Sequence, residues 1–206
     1  MLPYGLELIN IAKHFDRRLL FKKINCTLER GQILTISGAN GSGKSTLLRI
    51  MTGLLKPSYG AVHYYIHSRK LTPDQVSMNI GIVAPSINVY DELTAFENLR
   101  FLINVRGMEY DEQRVNDLLQ RLGLIDFKNE MVSIFSTGMR QRLKIAAAIL
   151  HDPLFLFLDE PFSNLDSEGM QIVDNIIEAQ CERGCVVIAS NMKTGEKKGD
   201  MRIELS

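Results

Sequence analysis

Gly38, Ala39, Asn40, Gly41, Ser42, Gly43, Lys44, Ser45 and Thr46 fit the phosphate-holding pattern G-x-x-x-x-G-K-[ST]. The chemistry is anion binding by the main chain. Backbone N–H groups must converge on phosphate oxygens, and Gly38, Gly41 and Gly43 leave that approach bare. Lys44 adds a point charge for the β- and γ-phosphates, Ser45 offers its hydroxyl to Mg²⁺, and a helix starting here turns its positive end toward the anion. A plain glycine turn ahead of a helix is the competing reading, and the flanks oppose it. Gln32 to Ser37 reads as a buried strand, and Leu47, Leu48, Met51 and Leu54 recur at helical spacing. The segment is therefore expected to bind a nucleoside triphosphate.

A second chemical feature is the apolar run Leu154 to Leu158 ending in Asp159 and Glu160. Neighbours on a strand point to opposite faces, so the two acids need not do the same job. Asp159 is expected to hold Mg²⁺ and Glu160 to act as the general base on the attacking water. Between the two motifs, Phe135-Ser-Thr-Gly-Met139 opens a helical run, and taken alone Ser136 is an ordinary N-cap.

These residues need a scaffold. Leu6 to Phe15 and Leu19 to Leu28 read as strands joined by the polar turn Asp16, Arg17 and Arg18. Breakers fill Gly53 to Gly60, and strand-like runs follow at Ala61 to Ile66 and Ile80 to Val83. After the irregular stretch Ala84 to Leu93 the period becomes helical. Thr94 and Glu97 form a capping box for a helix faced by Phe96, Leu99, Leu102 and Ile103, and helical runs recur at Glu112 to Leu122 and Thr137 to Leu150. Strand character returns at Leu154 to Leu158 and Cys185 to Ser190 around a helix at about Ser167 to Arg183, and Met201 to Leu205 is strand-like. The expected organisation is a single domain, residues 1–206. Its α/β core spans about 1–84 and 152–206, with a helical subdomain inserted at about 85–151.

Composition narrows the function classes. Lys+Arg and Asp+Glu are each 24, and no dense basic block occurs, so no nucleic-acid partner is expected. Apolar residues make up 45% of 206, enough for one sizeable core. The longest apolar runs are too short to cross a bilayer, and the start Met1-Leu-Pro-Tyr-Gly5 has no secretory signal character, so the expected compartment is the cytosol. Cys26, Cys181 and Cys185 are an odd set without metal-ligand partners and read as reduced thiols. His14, His63, His67 and His151 are scattered; His63 and His67 would pair as ligands only on a helix, which Tyr64-Tyr65-Ile66 opposes.

The order of an aromatic residue, phosphate loop, helical insertion, Phe135-Ser-Thr-Gly-Met139, acid-ending strand and Ser163-Asn-Leu-Asp166 resembles the ATP-binding cassette (ABC) transporter ATPases over essentially the whole chain. The resemblance implies an α/β fold: a RecA-like P-loop NTPase core with an N-terminal antiparallel β region and an inserted helical subdomain. It places Phe15 at the aromatic that stacks on adenine, normally Tyr. Ser136, Thr137 and Gly138 fall on the signature segment, usually Leu-Ser-Gly-Gly-Gln, which contacts the γ-phosphate of ATP held by the opposite subunit; Phe135, Thr137 and Met139 depart from it. Asp166 ends the turn that crosses the dimer interface and also suits an N-cap. Implied with these are ATP and Mg²⁺, and a head-to-tail dimer with a second copy or a homologous cassette. Also implied are a separate transmembrane permease subunit driven by ATP hydrolysis and a place on the cytoplasmic face of the inner membrane. The compactness is similar to minimal cassettes of bacterial export systems, among them the haem-exporter ATPases of cytochrome c maturation.

Two positions depart further. Pro85 stands where the family carries a Gln that touches Mg²⁺ or the lytic water, and Asn191 where it carries a His that holds the γ-phosphate. Proline cannot replace the amide, and asparagine donates a hydrogen bond without carrying charge. Such losses slow hydrolysis unless a neighbour such as Ser86 or Asn88 compensates. Two other readings stay open. One is a nucleotide-dependent switch or interaction subunit with little turnover, which Glu160 opposes. The other is a soluble non-transport cassette ATPase, which the single cassette and neutral charge oppose.

Overall fold

The computed structural model describes residues 4–16, 18–191 and 201–205. Its centre is β7 (Phe155–Asp159), buried along its whole length because it lies inside a parallel sheet covered on both faces. The sheet has five strands in the order β6-β7-β8-β3-β9. Its other members are β3 (Ile33–Gly38), β6 (Ile80–Val83), β8 (Cys185–Ala189) and β9 (Met201–Leu205), and every neighbouring pair is parallel. Alternation along the strands divides the core in two. Leu156, Leu158, Val186 and Ile188 face one cluster with the helical residues, whereas Phe155, Phe157 and Val187 face another closed by α1 (Lys44–Met51) and an antiparallel sheet.

That second sheet has the order β2-β1-β4-β5, built from β1 (Tyr4–Phe15), β2 (Arg18–Glu29), β4 (Tyr59–Ile66) and β5 (Arg69–Lys70). β1 and β2 form the expected antiparallel pair; Arg17 of their turn lies outside the described residues. Tyr64 on β4 joins the layers. Its ring meets Phe155 edge-on at 4.8 Å, and its buried hydroxyl donates to the Met51 carbonyl at the end of α1.

The other helices are α2 (Pro73–Met78), α3 (Ala95–Val105), α4 (Glu112–Arg121), α5 (Thr137–Ile149) and α6 (Ser167–Arg183). Thr94 and Glu97 form the capping box that starts α3. Leu99, Leu119 and Leu143 of α3, α4 and α5 are fully buried in one cluster, each contributing roughly 1.5–3 kcal/mol of burial. β5 and α2 have no counterpart in the sequence reading. α2 carries its own signal, a Thr72/Gln75 capping box with Pro73 in its first turn. Leu54 also differs from expectation: α1 stops at Met51, Gly53 takes φ +77°, and Leu54 is left 62% exposed instead of joining the buried face of Leu47, Leu48 and Met51.

Candidate active site

β3 ends at Gly38, and the chain turns through the phosphate loop into α1. Gly38 has φ +151°, and a Cβ on it would lie 2.3 Å from the Leu205 carbonyl oxygen on the neighbouring β9, so glycine is required twice over. Gly41 and Gly43 also take positive φ. Lys44 is 7% exposed, and its Nζ donates to the carbonyls of Gly38 (2.8 Å) and Ala39 (3.1 Å) and to Asn191 Oδ1. The ammonium is thus held at the open mouth of the loop, with Ser45 and Thr46 beside it on the first turn of α1. Ser42 turns inward, its hydroxyl buried without a partner, and its N–H donates to the Ala39 carbonyl at 3.1 Å.

β7 delivers the two acids to this place. Asp159 is its last residue and is 5% exposed. Glu160 leaves the strand with φ +51°, which corrects the expectation that strand alternation sets its direction. A non-glycine residue in this region is held there by its surroundings. Here the Glu160 N–H donates to the Ala189 carbonyl (2.8 Å), and its carboxylate accepts from the Asn191 N–H (2.8 Å) and from Ser190 Oγ (3.3 Å). Asp159 is different: its carboxylate accepts no hydrogen bond among the described residues, which leaves both oxygens for a cation. Among the described residues no group of three or more His, Cys, Asp or Glu side chains is arranged to hold a metal. Mg²⁺ needs less, since one or two protein oxygens complete a shell of phosphate oxygens and water. Ser45 and Asp159 fit that requirement.

A cleft of about 340 Å³ brings together Phe15, Asn40, Gly41, Gly43, Lys44, Ser45, Thr46, Asp159 and Glu160, and also Pro85 and Asn191. Leu20, not singled out from the sequence, lines it too and packs behind Gly43, where a Cβ would come within 2.8 Å of Leu20 Cδ2. Asn191 is bound on three sides, since beyond its contacts to Lys44 and Glu160 its Nδ2 donates to Asn40 Oδ1 at 2.5 Å.

Ser136, Thr137, Gly138 and Asp166 line no part of this cleft. Ser136 caps α5, its Oγ accepting from the Met139 N–H at 3.1 Å, and Asp166 caps α6, accepting from the Gly169 N–H at 2.7 Å. Gly138 sits where a Cβ would lie 3.0 Å from the Asn164 carbonyl oxygen, so the helix start and the turn after β7 pack together. Two side chains of α5 that the sequence did not mark tie this surface inward. Gln141 Nε2 donates to the Pro161 carbonyl at 3.2 Å, beside Glu160. Arg140 Nη1 donates to both oxygens of the Asp91 carboxylate (2.7 and 2.9 Å), while Nε and Nη2 donate to the carbonyls of Phe135 and Ser133. Between the 85–93 loop and α5 lies a mostly apolar groove of about 290 Å³ that includes Ile82, Ile87, Val89 and Leu102.

The cysteines and histidines singled out from the sequence do not line the cleft. Cys26, Cys181 and Cys185 form no disulfide, and burial pushes Cys185 up to about 12. His63 lies within β4, whereas His67 follows it at φ +50°, so they are not the helical pair a metal would need.

The pattern of the ABC transporter family matches residues 21–163. The cytochrome c biogenesis ATP-binding export protein CcmA of Methylococcus capsulatus is 36% identical over 204 residues, covering 96% of this chain and 93% of its own. An uncharacterised ABC transporter ATP-binding protein of Bacillus subtilis, YybJ, is 33% identical over 187 residues, covering 90% of this chain and 84% of its own. Among solved structures, the dimeric ATP-binding cassette MJ0796, in a post-hydrolysis state bound to ADP and Pi, superposes with a TM-score of 0.82 at 28% identity, covering 98% of this chain and 94% of its own.

Proposed function

The chain belongs to the ABC transporter family as an ATP-binding subunit that hydrolyses ATP, and on that premise we propose how its residues divide the work. The supporting observation is the convergence of Lys44, Ser45, Asp159 and Glu160 on one cleft. The phosphate-loop N–H groups and Lys44 bind the triphosphate. Ser45 and Asp159 hold Mg²⁺, which when bound neutralises charge on the phosphates. Glu160 takes a proton from water as the water oxygen attacks the γ-phosphorus, and the bond to the ADP oxygen breaks. Its carboxylate is aimed by the Asn191 N–H and Ser190 Oγ, so the base is positioned before substrate arrives. Phe15, at the cleft rim and 49% exposed, stacks on adenine.

Two copies close head to tail, with Ser136, Thr137 and Gly138 of one reaching the γ-phosphate of the other and Asp166 lying at the interface. Closure and release then drive a separate membrane subunit that docks on the groove beside the 85–93 loop, carried by the helical insertion of about 85–151. No helix among the described residues is long and apolar enough to cross a membrane, in keeping with a subunit that sits on the cytoplasmic face through such a partner. Relatives named as transporter ATP-binding proteins disfavour a soluble non-transport role.

The test is ATP turnover. Glu160→Gln keeps the shape of the base and removes its proton affinity, so turnover is expected to drop on the order of 10²- to 10⁴-fold while ATP binding persists. Equal rates for both proteins would remove Glu160 from the role of base.

A further inference from the structure

We propose that Lys13 is a positioning residue for the nucleotide base: it occupies one face of the Phe15 ring and so presents the other for stacking. This rests on the reading of Phe15 as the adenine platform. Lys13 Nζ lies 5.0 Å from the Phe15 ring centroid, within cation–π range. The same ammonium donates to the Lys56 carbonyl at 3.0 Å. Two further bonds fasten this end of β1 to the segment that follows α1: the Ser58 N–H to the Ala12 carbonyl (2.9 Å) and the His14 N–H to Ser58 Oγ (3.0 Å).

The consequence is geometric. α1 begins at the phosphate-binding Lys44, and its C-terminal extension is the segment that Lys13 grips. The base platform and the phosphate site are therefore joined through one short stretch of chain, and Lys13 is the side chain that touches both the platform and that stretch. An exposed phenylalanine at a strand end would otherwise have free choice of χ1. With the ammonium drawn to one face, that face is closed to a base, and the ring's π density is pulled toward the charge. A purine meets the opposite face, which is the less electron-rich one. No other cation of the described residues lies over this ring.

Lys13→Met keeps the length of the stem and removes the charge. Calorimetric titration with Mg·ATP is expected to show affinity falling about two- to fivefold, while inorganic tripolyphosphate, which has no base, binds as before. Lys13→Arg is expected to retain ATP affinity, and in a Phe15→Ala background Lys13→Met is expected to change nothing further. Equal losses for ATP and tripolyphosphate would mean simple charge attraction and overturn the proposal, as would an undiminished loss in the Phe15→Ala background. Phe15→Ala separates the two claims. Unchanged ATP affinity there sinks the stacking reading and the proposal with it, whereas a Phe15-dependent affinity that Lys13→Met leaves intact sinks the proposal alone.

Discussion

Asn191 carries three hydrogen bonds into the cleft without a charge of its own, to Lys44, Asn40 and Glu160. Asn191→Asp is nearly isosteric, yet it sets a carboxylate against Lys44 where the triphosphate must bind. Lys44 then has a permanent counter-ion, so the fold loses little while the incoming anion is repelled. ATP affinity is expected to fall at least about tenfold, or 1.4 kcal/mol, with a thermal midpoint close to that of the parent. Titration and calorimetry on the same samples check both halves, and intact affinity would show that Asn191 does not face the phosphates. Gly38→Ala acts through the backbone instead. The φ of +151° and the 2.3 Å approach of the Leu205 oxygen leave no place for the methyl, so a loss of at least about 1–3 kcal/mol in urea unfolding is expected. The motif pattern marked Gly38 correctly, but nothing local could name Leu205 as the atom in the way, because that contact comes from β9 pairing with β3.

At the scale of elements, α5 is seated on β6 so closely that a Cβ on Gly81 would lie 2.2 Å from the Ala148 carbonyl oxygen. His151, just beyond α5, joins the same two elements by a 3.0 Å bond from Nε2 to the Ile80 carbonyl, and its Nδ1 is buried without a partner. Burial, with Arg106 and then Arg114 nearby and only Asp152 and the Ile80 bond opposing, lowers this imidazole from 6.5 to about 4. The folded protein therefore keeps His151 neutral where the unfolded chain takes up a proton. Its stabilising contribution is full above pH 6.5 and is lost as pH falls from there through about 4. His151→Gln retains a donor for the Ile80 carbonyl and cannot titrate. Between pH 7 and 5 the parent is expected to lose on the order of 1–2 kcal/mol more than this variant in urea unfolding, and parallel pH profiles would refute the assignment. Elements with local signals were legible: β7 by its unbroken apolar run, α3 by its capping box, α1 by the glycines before it. The same signals were present for α2 at Thr72, Pro73 and Gln75, but six residues with no buried face give no hydrophobic period to draw attention to them. Glu160 is the opposite case, since its left-handed backbone is imposed by β8 and α5 from outside the strand it follows.

For the molecule as a whole, the proposed pairing of two copies turns on the division between cleft and signature segment. Phe15, Lys44, Asp159 and Glu160 share one cleft, while Ser136 and Thr137 are exposed at the start of α5 and line no part of it. Arg140 and Gln141 bind that helix start to Asp91 and Pro161, which fixes the segment on the surface, and on the proposed head-to-tail reading it meets the phosphates held by another copy. The sheet order behind this, β6-β7-β8-β3-β9, pairs strands from both ends of the chain and was not written in any local period. Substitution at Ser136 must separate its cap from its proposed trans contact. Asp caps a helix as well as Ser does, so Ser136→Asp preserves α5, yet it brings a negative charge to the γ-phosphate of the partner's nucleotide. With Glu160→Gln to stall hydrolysis, Mg·ATP is expected to shift the protein from monomer to dimer in light scattering. Glu160→Gln carrying Ser136→Asp is expected to stay monomeric with an unchanged thermal midpoint and unchanged ATP affinity per chain. ATP-driven dimers in both proteins would place the signature segment outside the interface, whereas a monomer that had also lost stability would point to the cap.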